Sequence, residues 1–172
     1  MKKTLFFAFA LCFFFAFVQT TAAQSDSVNE EVKASVSKVL TAYYAIKDAL
    51  VADDGTTANQ QASTLITSLA KVPMTKMTKT QHSLYMEFSE KIKDDAQHIN
   101  DTKDVKKQRE YFNSLSNALF ALVKGTDANE NPVYQQYCPM KKAYWLSDNA
   151  AIKNPYYGKM MLTCGKVTET LK

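Results

Sequence analysis

The chain has 172 residues, of which 46% are hydrophobic, and its 21 basic and 17 acidic residues give a formal net charge of +4 at pH 7. This length suits a single domain with its own hydrophobic core. A charge this small argues against a nucleic-acid-binding protein.

Residues 1–23 have the pattern of a signal peptide. Two lysines precede a nearly unbroken apolar run from Leu5 to Val18, and small residues lie just before Gln24. The run is short for a membrane-spanning helix of about 20 residues, so cleavage before Gln24 is favoured over a membrane anchor. We therefore expect an exported mature chain, residues 24–172, that is periplasmic or secreted. Loss of the two lysines lowers its net charge to +2, and no stable membrane insertion is expected.

Two amphipathic helices are predicted in the first half of the mature chain. The first has apolar residues in alternating steps of four and three, and it ends at Asp53-Asp54-Gly55. Its apolar stripe consists of Val32, Val36, Val39, Tyr43, Ile46 and Leu50. The second helix begins near Thr57 and ends before Pro73, because the residue preceding a proline is pushed out of the α region.

Two more helices complete a predicted antiparallel four-helix bundle. The third begins near Thr78 and ends at Asn100-Asp101-Thr102; its apolar face consists of Leu84, Phe88, Ile92, Ala96 and Ile99. The fourth begins at Asp104, a typical N-cap, and we expect Gly125 to cap its C-terminal end. Four helices with short connections most economically form an antiparallel bundle.

The helical periodicity fails after Gly125, so residues 126–172 are predicted to form a small C-terminal lobe, either irregular or a β-hairpin. Val133–Tyr137 is one candidate strand, and Met160–Cys164 is a second. A lobe with so little regular structure needs a covalent link or a bound ligand to hold one shape. We expect the lobe and the helices to form a single domain, residues 24–172.

Sulfur is concentrated in this lobe. Cys138 and Cys164, the two cysteines of the mature chain, lie within 27 residues that also include Met140, Met160 and Met161. One interpretation is a Cu(I) or Ag(I) site, because soft ions prefer thiolate and thioether donors. The other is a disulfide, since an even cysteine count in an oxidising compartment favours one. An oxidised pair cannot supply thiolates, so the two interpretations exclude each other.

Two helix residues are candidates for contact with the lobe. His98 could add an imidazole donor to the metal site, and its alternative is a boundary histidine bonded to water or to a neighbour. Arg109 is the only arginine in the chain. We expect it to fasten the lobe to the helices, because its planar set of donors suits a carboxylate or backbone carbonyls.

Several short segments carry a family resemblance. In the lobe they are Cys138-Pro139-Met140, Trp145-Leu146-Ser147, Asn154-Pro155-Tyr156-Tyr157-Gly158 and Met161-Leu162-Thr163-Cys164-Gly165; in the helices they are Ala96-Gln97-His98-Ile99 and Gln108-Arg109-Glu110-Tyr111-Phe112. Together these segments resemble an exported bacterial family, domain of unknown function 3347. Its members occur alone or appended to adaptor subunits of copper and silver efflux systems. The resemblance implies an accessory role in handling a soft metal.

The sequence therefore predicts an exported helical protein that chelates Cu(I) or Ag(I) and passes it to an efflux-system protein or another periplasmic partner. No enzymatic activity is predicted, because the chain lacks the usual hydrolase, zinc-protease and phosphate-loop motifs. The predicted metal ligands are Cys138, Met140, Met160, Met161, Cys164 and His98. The alternative is a module stapled by a Cys138–Cys164 disulfide that binds a protein partner without metal.

Overall fold

The computed structural model describes residues 28–172, so the predicted signal peptide, residues 1–23, lies outside the described part. Four α-helices are followed by a small sheet. The helices are α1 (Glu30–Val51), α2 (Gly55–Leu69), α3 (Lys79–Asn100) and α4 (Val105–Thr126), and the strands are β1 (Val133–Cys138), β2 (Ala143–Ser147) and β3 (Lys166–Leu171). The predicted mainly helical chain is thus confirmed. Between residues 28 and 172, no helix is both long and apolar enough to span a bilayer.

Polar side chains define where the helices begin. Asn29 accepts a hydrogen bond from the Glu31 N–H at 2.9 Å, and Asp104 accepts one from the Lys106 N–H at 2.9 Å. Thr78 forms a capping box with Gln81 at the start of α3. Such caps satisfy N–H groups that have no partner within the helix. The predicted helix starts at Thr78 and Asp104 are confirmed.

The C-terminal end of α4 differs from the prediction. Asp127, which follows the last helical residue, adopts the left-handed conformation with φ of 52°, and its N–H donates to the Val123 carbonyl. Gly125 stays inside the last turn, where an added Cβ would lie 2.9 Å from Leu84 Cδ1. Gly125 therefore allows α3 and α4 to approach closely, and its predicted role as the C-cap is wrong.

The buried face of α3 is more polar than predicted. Gln81 and Tyr85 are buried, whereas Leu84 and Phe88 are only half-buried. Gln81 Nε2 donates to the Thr126 carbonyl at 3.3 Å, and the Tyr85 hydroxyl donates to the Leu69 carbonyl at 2.6 Å. These hydrogen bonds compensate the cost of removing the two polar groups from water.

The lobe is built around a three-stranded antiparallel sheet in the order β2-β1-β3. The predicted strand at Val133–Tyr137 is confirmed as part of β1. The predicted strand at Met160–Cys164 is wrong, because this segment contains a 3-10 helix, Gly158–Met161, and a turn. Its backbone groups bond within the segment and to the preceding loop: the Cys164 N–H donates to the Met161 carbonyl at 3.0 Å, and the Leu162 carbonyl accepts from the Asn154 N–H at 2.8 Å.

Candidate functional site

The two cysteines of the lobe are neighbours in space. Cys138 is the last residue of β1, Cys164 lies just before β3, and their Sγ atoms are 3.9 Å apart. Both are free thiols. The Cys138 side chain is buried and Cys164 is half-buried, so the pair is reached from the Cys164 side. The expectation that the two cysteines lie together is confirmed.

The separation of the two sulfur atoms limits the chemistry of the pair. A covalent disulfide has an S–S distance of about 2.05 Å, so the thiols would have to close by almost 2 Å to form one. Two sulfur ligands that each lie about 2.3 Å from one metal ion, as thiolates lie from zinc, can be up to about 4.6 Å apart. The observed 3.9 Å lies within that span without rearrangement.

Backbone N–H groups from the turn after β1 face the sulfurs. The Lys141 N–H donates to Cys138 Sγ at 3.4 Å. Burial raises the pKa of the Cys164 thiol, and the neighbouring Cys138 raises it further, while a backbone hydrogen bond from Met140 acts in the opposite direction. The Cys164 thiol therefore keeps its proton at neutral pH.

The three methionines of the lobe lie on the chain segments next to the cysteines. Met140 follows Cys138 in the turn after β1, and its side chain is 64% exposed. Met160 and Met161 belong to the 3-10 helix that precedes Cys164; Met160 is 79% exposed and Met161 is half-buried. Met140 and Met160 are therefore largely open to solvent, and Met161 is partly so.

His98 has a different environment. Its ring stacks on Tyr111 with centroids 4.3 Å apart and 15° between the ring planes, which joins α3 to α4. Within residues 28–172, no three His, Cys, Asp or Glu side chains gather as a group that could hold a metal ion. The structure thus brings the two cysteines together and does not bring His98 to them.

Asn154 organises the segment that carries Cys164, and the sequence alone did not single out its role. Its buried side chain donates to the Cys164 carbonyl at 2.7 Å and accepts from the Tyr156 N–H at 2.9 Å. Its own carbonyl accepts from the Gly158 N–H at 3.0 Å. The available signal was the Asn-Pro pair, because asparagine side chains commonly bond the backbone two residues on.

Arg109 fastens the lobe to the helices, as predicted. From α4, its Nε donates to the Pro155 carbonyl at 2.6 Å. Its Nη2 donates to the Leu50 carbonyl and to the Asp53 carboxylate, each at 2.7 Å. One planar group therefore links α4, the C-terminal end of α1 and the segment that leads to Cys164.

A buried aromatic layer supports the sheet behind the cysteines. Trp145 on β2 is fully buried and meets the ring of Tyr156 edge-on, with centroids 6.1 Å apart. Tyr43 on α1 accepts a hydrogen bond from the Leu146 N–H at 3.0 Å, and its hydroxyl lies 2.6 Å from Ser116 Oγ. These contacts hold β2 against α1 and α4.

Comparison with known families gives one match. A family model described as a protein of unknown function, DUF3347, matches residues 39–131. This region runs from α1 through α4 and ends just before β1, so it includes Arg109 and His98 and ends before both cysteines. Neither the curated proteins nor the solved structures yield a match.

Proposed function

The chain belongs to the DUF3347 family of proteins of unknown function, and we propose that it is an exported protein that binds Cu(I) or Ag(I) in its C-terminal lobe. The observation that carries this proposal is the pair of free thiols, Cys138 and Cys164, with sulfur atoms 3.9 Å apart. Thiolates are preferred ligands of soft monovalent ions.

The ion is the cargo of this proposed site. It would displace the protons of Cys138 and Cys164 and bind both sulfurs, since only a deprotonated thiol is a strong ligand. The exposed thioethers of Met140 and Met160 are suited to capture the ion at the surface and to complete its coordination, with Met161 as the remaining sulfur donor. His98 would join only through a rearrangement of its stack on Tyr111.

The proposed role is chelation and transfer without catalysis. Release to a partner requires only the exchange of sulfur ligands, and the half-buried Cys164 gives an acceptor access to the ion. We propose a protein of a heavy-metal efflux system, or another periplasmic protein, as that acceptor. Export through the signal peptide at residues 1–23 is part of the proposal.

The helices would act as a platform, and we propose that they form an antiparallel four-helix bundle. Contacts between α1 and α2, between α2 and α3, and between α3 and α4 support this arrangement, because helices joined by short loops pack against their sequence neighbours. Gln108 supports it further: its Nε2 donates to the Gly55 carbonyl at 2.9 Å and to the Thr102 carbonyl at 2.8 Å.

The second candidate function is a disulfide-stapled module that binds a protein partner without metal. It is favoured by the same proximity of Cys138 and Cys164, because a closure of almost 2 Å between their sulfurs would allow an oxidising compartment to convert the two thiols into a disulfide. In this alternative the methionines and aromatic residues of the lobe would form the contact surface, as such side chains often do.

Titration of free thiols decides between the two candidates. Protein taken from the periplasm under acid quench and unfolded should show two reactive thiols if the pair binds metal, and none if it is a staple. A second arm tests the thioethers: Met140→Leu should weaken Cu(I) uptake while the fold is kept, because leucine preserves volume and apolarity but lacks sulfur. Met86→Leu on α3 is the matched control, since Met86 is also exposed, at 51%, and lies outside the lobe.

A further inference from the structure

A groove of about 790 Å³ runs along α1, on residues that the proposed metal site does not use. One wall is a stripe of α1, and the other is formed by the segment that enters β1 and by the residue after β2. The α1 stripe consists of Ser37, Leu40, Thr41, Tyr44, Ala45 and Asp48, and the opposite wall consists of residues 130–134 and Asp148.

The groove has a carboxylate at each end. At one end, the Glu130 carboxylate accepts a hydrogen bond from Ser37 Oγ at 2.7 Å. At the other end lie Asp48 and Asp148, with side chains that are 59% and 57% exposed. Ser37 and Asp48 are eleven positions apart on α1, which corresponds to about 16 Å along the helix axis. The two acidic ends are therefore separated by roughly three helical turns.

The middle of the groove is aromatic and apolar. The half-buried rings of Tyr44 and Tyr134 line this part together with the largely buried Leu40, so the surface that it offers is mainly aromatic. An aromatic ring attracts an ammonium group placed over its face, and carboxylates attract it more strongly. The apolar and aromatic middle of the groove and its acidic ends together suit a cation with an aliphatic body.

The protein already binds one ammonium group in this way. Lys47 Nζ lies 3.0 Å from the Asp48 carboxylate, 3.7 Å from the Asp148 carboxylate and 5.9 Å from the centre of the Tyr44 ring. The Lys47 side chain is only 2% exposed, so it lies beneath the groove rather than within it. Three carboxylates against this single ammonium leave the groove with an excess of about two negative charges, although the chain as a whole is basic.

We propose that this groove binds a linear aliphatic polyamine. The terminal ammonium groups would pair with Glu130 at one end and with Asp48 and Asp148 at the other, and the methylene chain would lie on Leu40, Tyr44 and Tyr134. The distance between the acidic ends distinguishes the groove from a calcium or magnesium site, in which carboxylates converge on one point. The proposal is independent of the sulfur pair.

Titration calorimetry of the full mature chain at low salt tests the proposal with three cations. Spermidine and hexaamminecobalt(III) carry the same charge, but spermidine is linear and hexaamminecobalt(III) is compact. The comparison therefore separates the effect of shape on affinity from the effect of charge. We expect spermidine to bind one site at least about tenfold more tightly than hexaamminecobalt(III). Spermine, which is longer, should bind more tightly still because it reaches both acidic ends.

Two single variants locate the site. Glu130→Gln and Asp148→Asn should each weaken spermine binding by about two- to five-fold, the value of one exposed charge pair. Glu87→Gln, an exposed acid on α3 away from the groove, is the matched control and should leave the affinity unchanged. The thermal midpoint of each variant separates a lost contact from a lost fold.

Three results would overturn the proposal. The first is equal affinity for spermidine and hexaamminecobalt(III), which would indicate charge screening alone. The second is an equal loss of spermine affinity in all three variants. The third is binding of a lysine-rich peptide together with no heat from spermine, which would identify the groove as a peptide-docking surface instead.

Discussion

Gly158 lies so close to the Arg109 guanidinium that an added Cβ would stand 2.9 Å from Nη2, and its φ of +54° is one that side chains disfavour. Gly158 also follows the Asn154–Tyr156 turn, whose Pro155 carbonyl accepts from Arg109. The segment that leads to Cys164 is thus in direct contact with Arg109 of α4 at both Pro155 and Gly158.

Arg109→Lys should destabilise the protein by about 1.5–3 kcal/mol, because lysine cannot reproduce the three charge-assisted hydrogen bonds to Leu50, Asp53 and Pro155. The free energy of unfolding in urea measures the loss. Lys107→Arg, at an exposed position of the same helix, is the control and should change it by less than about 0.5 kcal/mol. Equal values for wild type and Arg109→Lys would contradict the role given to Arg109.

Gly165→Ala should cost about 1–3 kcal/mol, since the new Cβ would lie 2.7 Å from Cη2 of the buried Trp145, a rigid side chain that cannot move aside. Gly125→Ala is the matched comparison. Its Cβ would meet the flexible end of Leu84 at 2.9 Å, and alanine favours the helix by up to about 1 kcal/mol over glycine. The free energy of unfolding in urea should therefore be clearly lower for Gly165→Ala than for Gly125→Ala, and the reverse order would contradict this account.

Tyr43→Phe should destabilise the protein by about 1–3 kcal/mol, because it leaves the buried Leu146 N–H without a partner, whereas Ser116 Oγ keeps its hydrogen bond to the Phe112 carbonyl. Its neighbour provides the control: within residues 28–172 the Tyr44 hydroxyl forms no hydrogen bond, so Tyr44→Phe should have little effect. Thermal unfolding of both variants makes the comparison. Equal losses would show that ring packing alone, rather than the Tyr43 hydroxyl, fixes β2.

Stability should fall in alkali. Burial raises the pKa of Tyr85 to about 12, with Glu90 as a smaller cause, and burial raises the pKa of Tyr43 and Tyr156 as well. Tyrosines of an unfolded chain titrate near pH 10. The folded state therefore binds these hydroxyl protons more tightly than the unfolded state does. The contribution of the three tyrosines to the free energy of unfolding is complete below about pH 10 and declines above it. Urea unfolding from about pH 7 to about pH 11 tests this, and an unchanged free energy across that range would contradict it.

The helices could be predicted because their signals are local. The stripe from Val32 to Leu50 and the N-caps at Thr78 and Asp104 depend on residues within a few positions of each other. Gly125 and Leu84 differ from the prediction because their roles depend on the distance between α3 and α4, which no local pattern contains. From local sequence alone, a glycine near the end of a helix predicts a C-cap. Only the position of the adjacent helix shows that it serves close packing instead.

The lobe was harder to predict, for physical reasons that differ between its strands. Both faces of β2 pack on other parts of the protein, so Trp145 and Leu146 are buried in succession and the alternation typical of a strand is lost. In β3, by contrast, the sequence does carry a feature typical of a strand, the β-branched residues Val167, Thr168 and Thr170. The proximity of Cys138 and Cys164 could be expected from their chemistry, whereas the position of His98 depends on its stack with Tyr111.

The most direct measurement is anaerobic titration of the reduced mature chain with Cu(I) in a competing chelator, with wild type and the Cys138→Ser/Cys164→Ser double variant side by side. Wild type should bind about one ion, and at about a hundredfold excess over Kd it should gain about 2.7 kcal/mol of stability. The double variant should remain folded and bind none, because a hydroxyl is a poor donor for a soft ion. Equal Cu(I) affinity in both proteins, or no uptake by either, would contradict the proposed metal site.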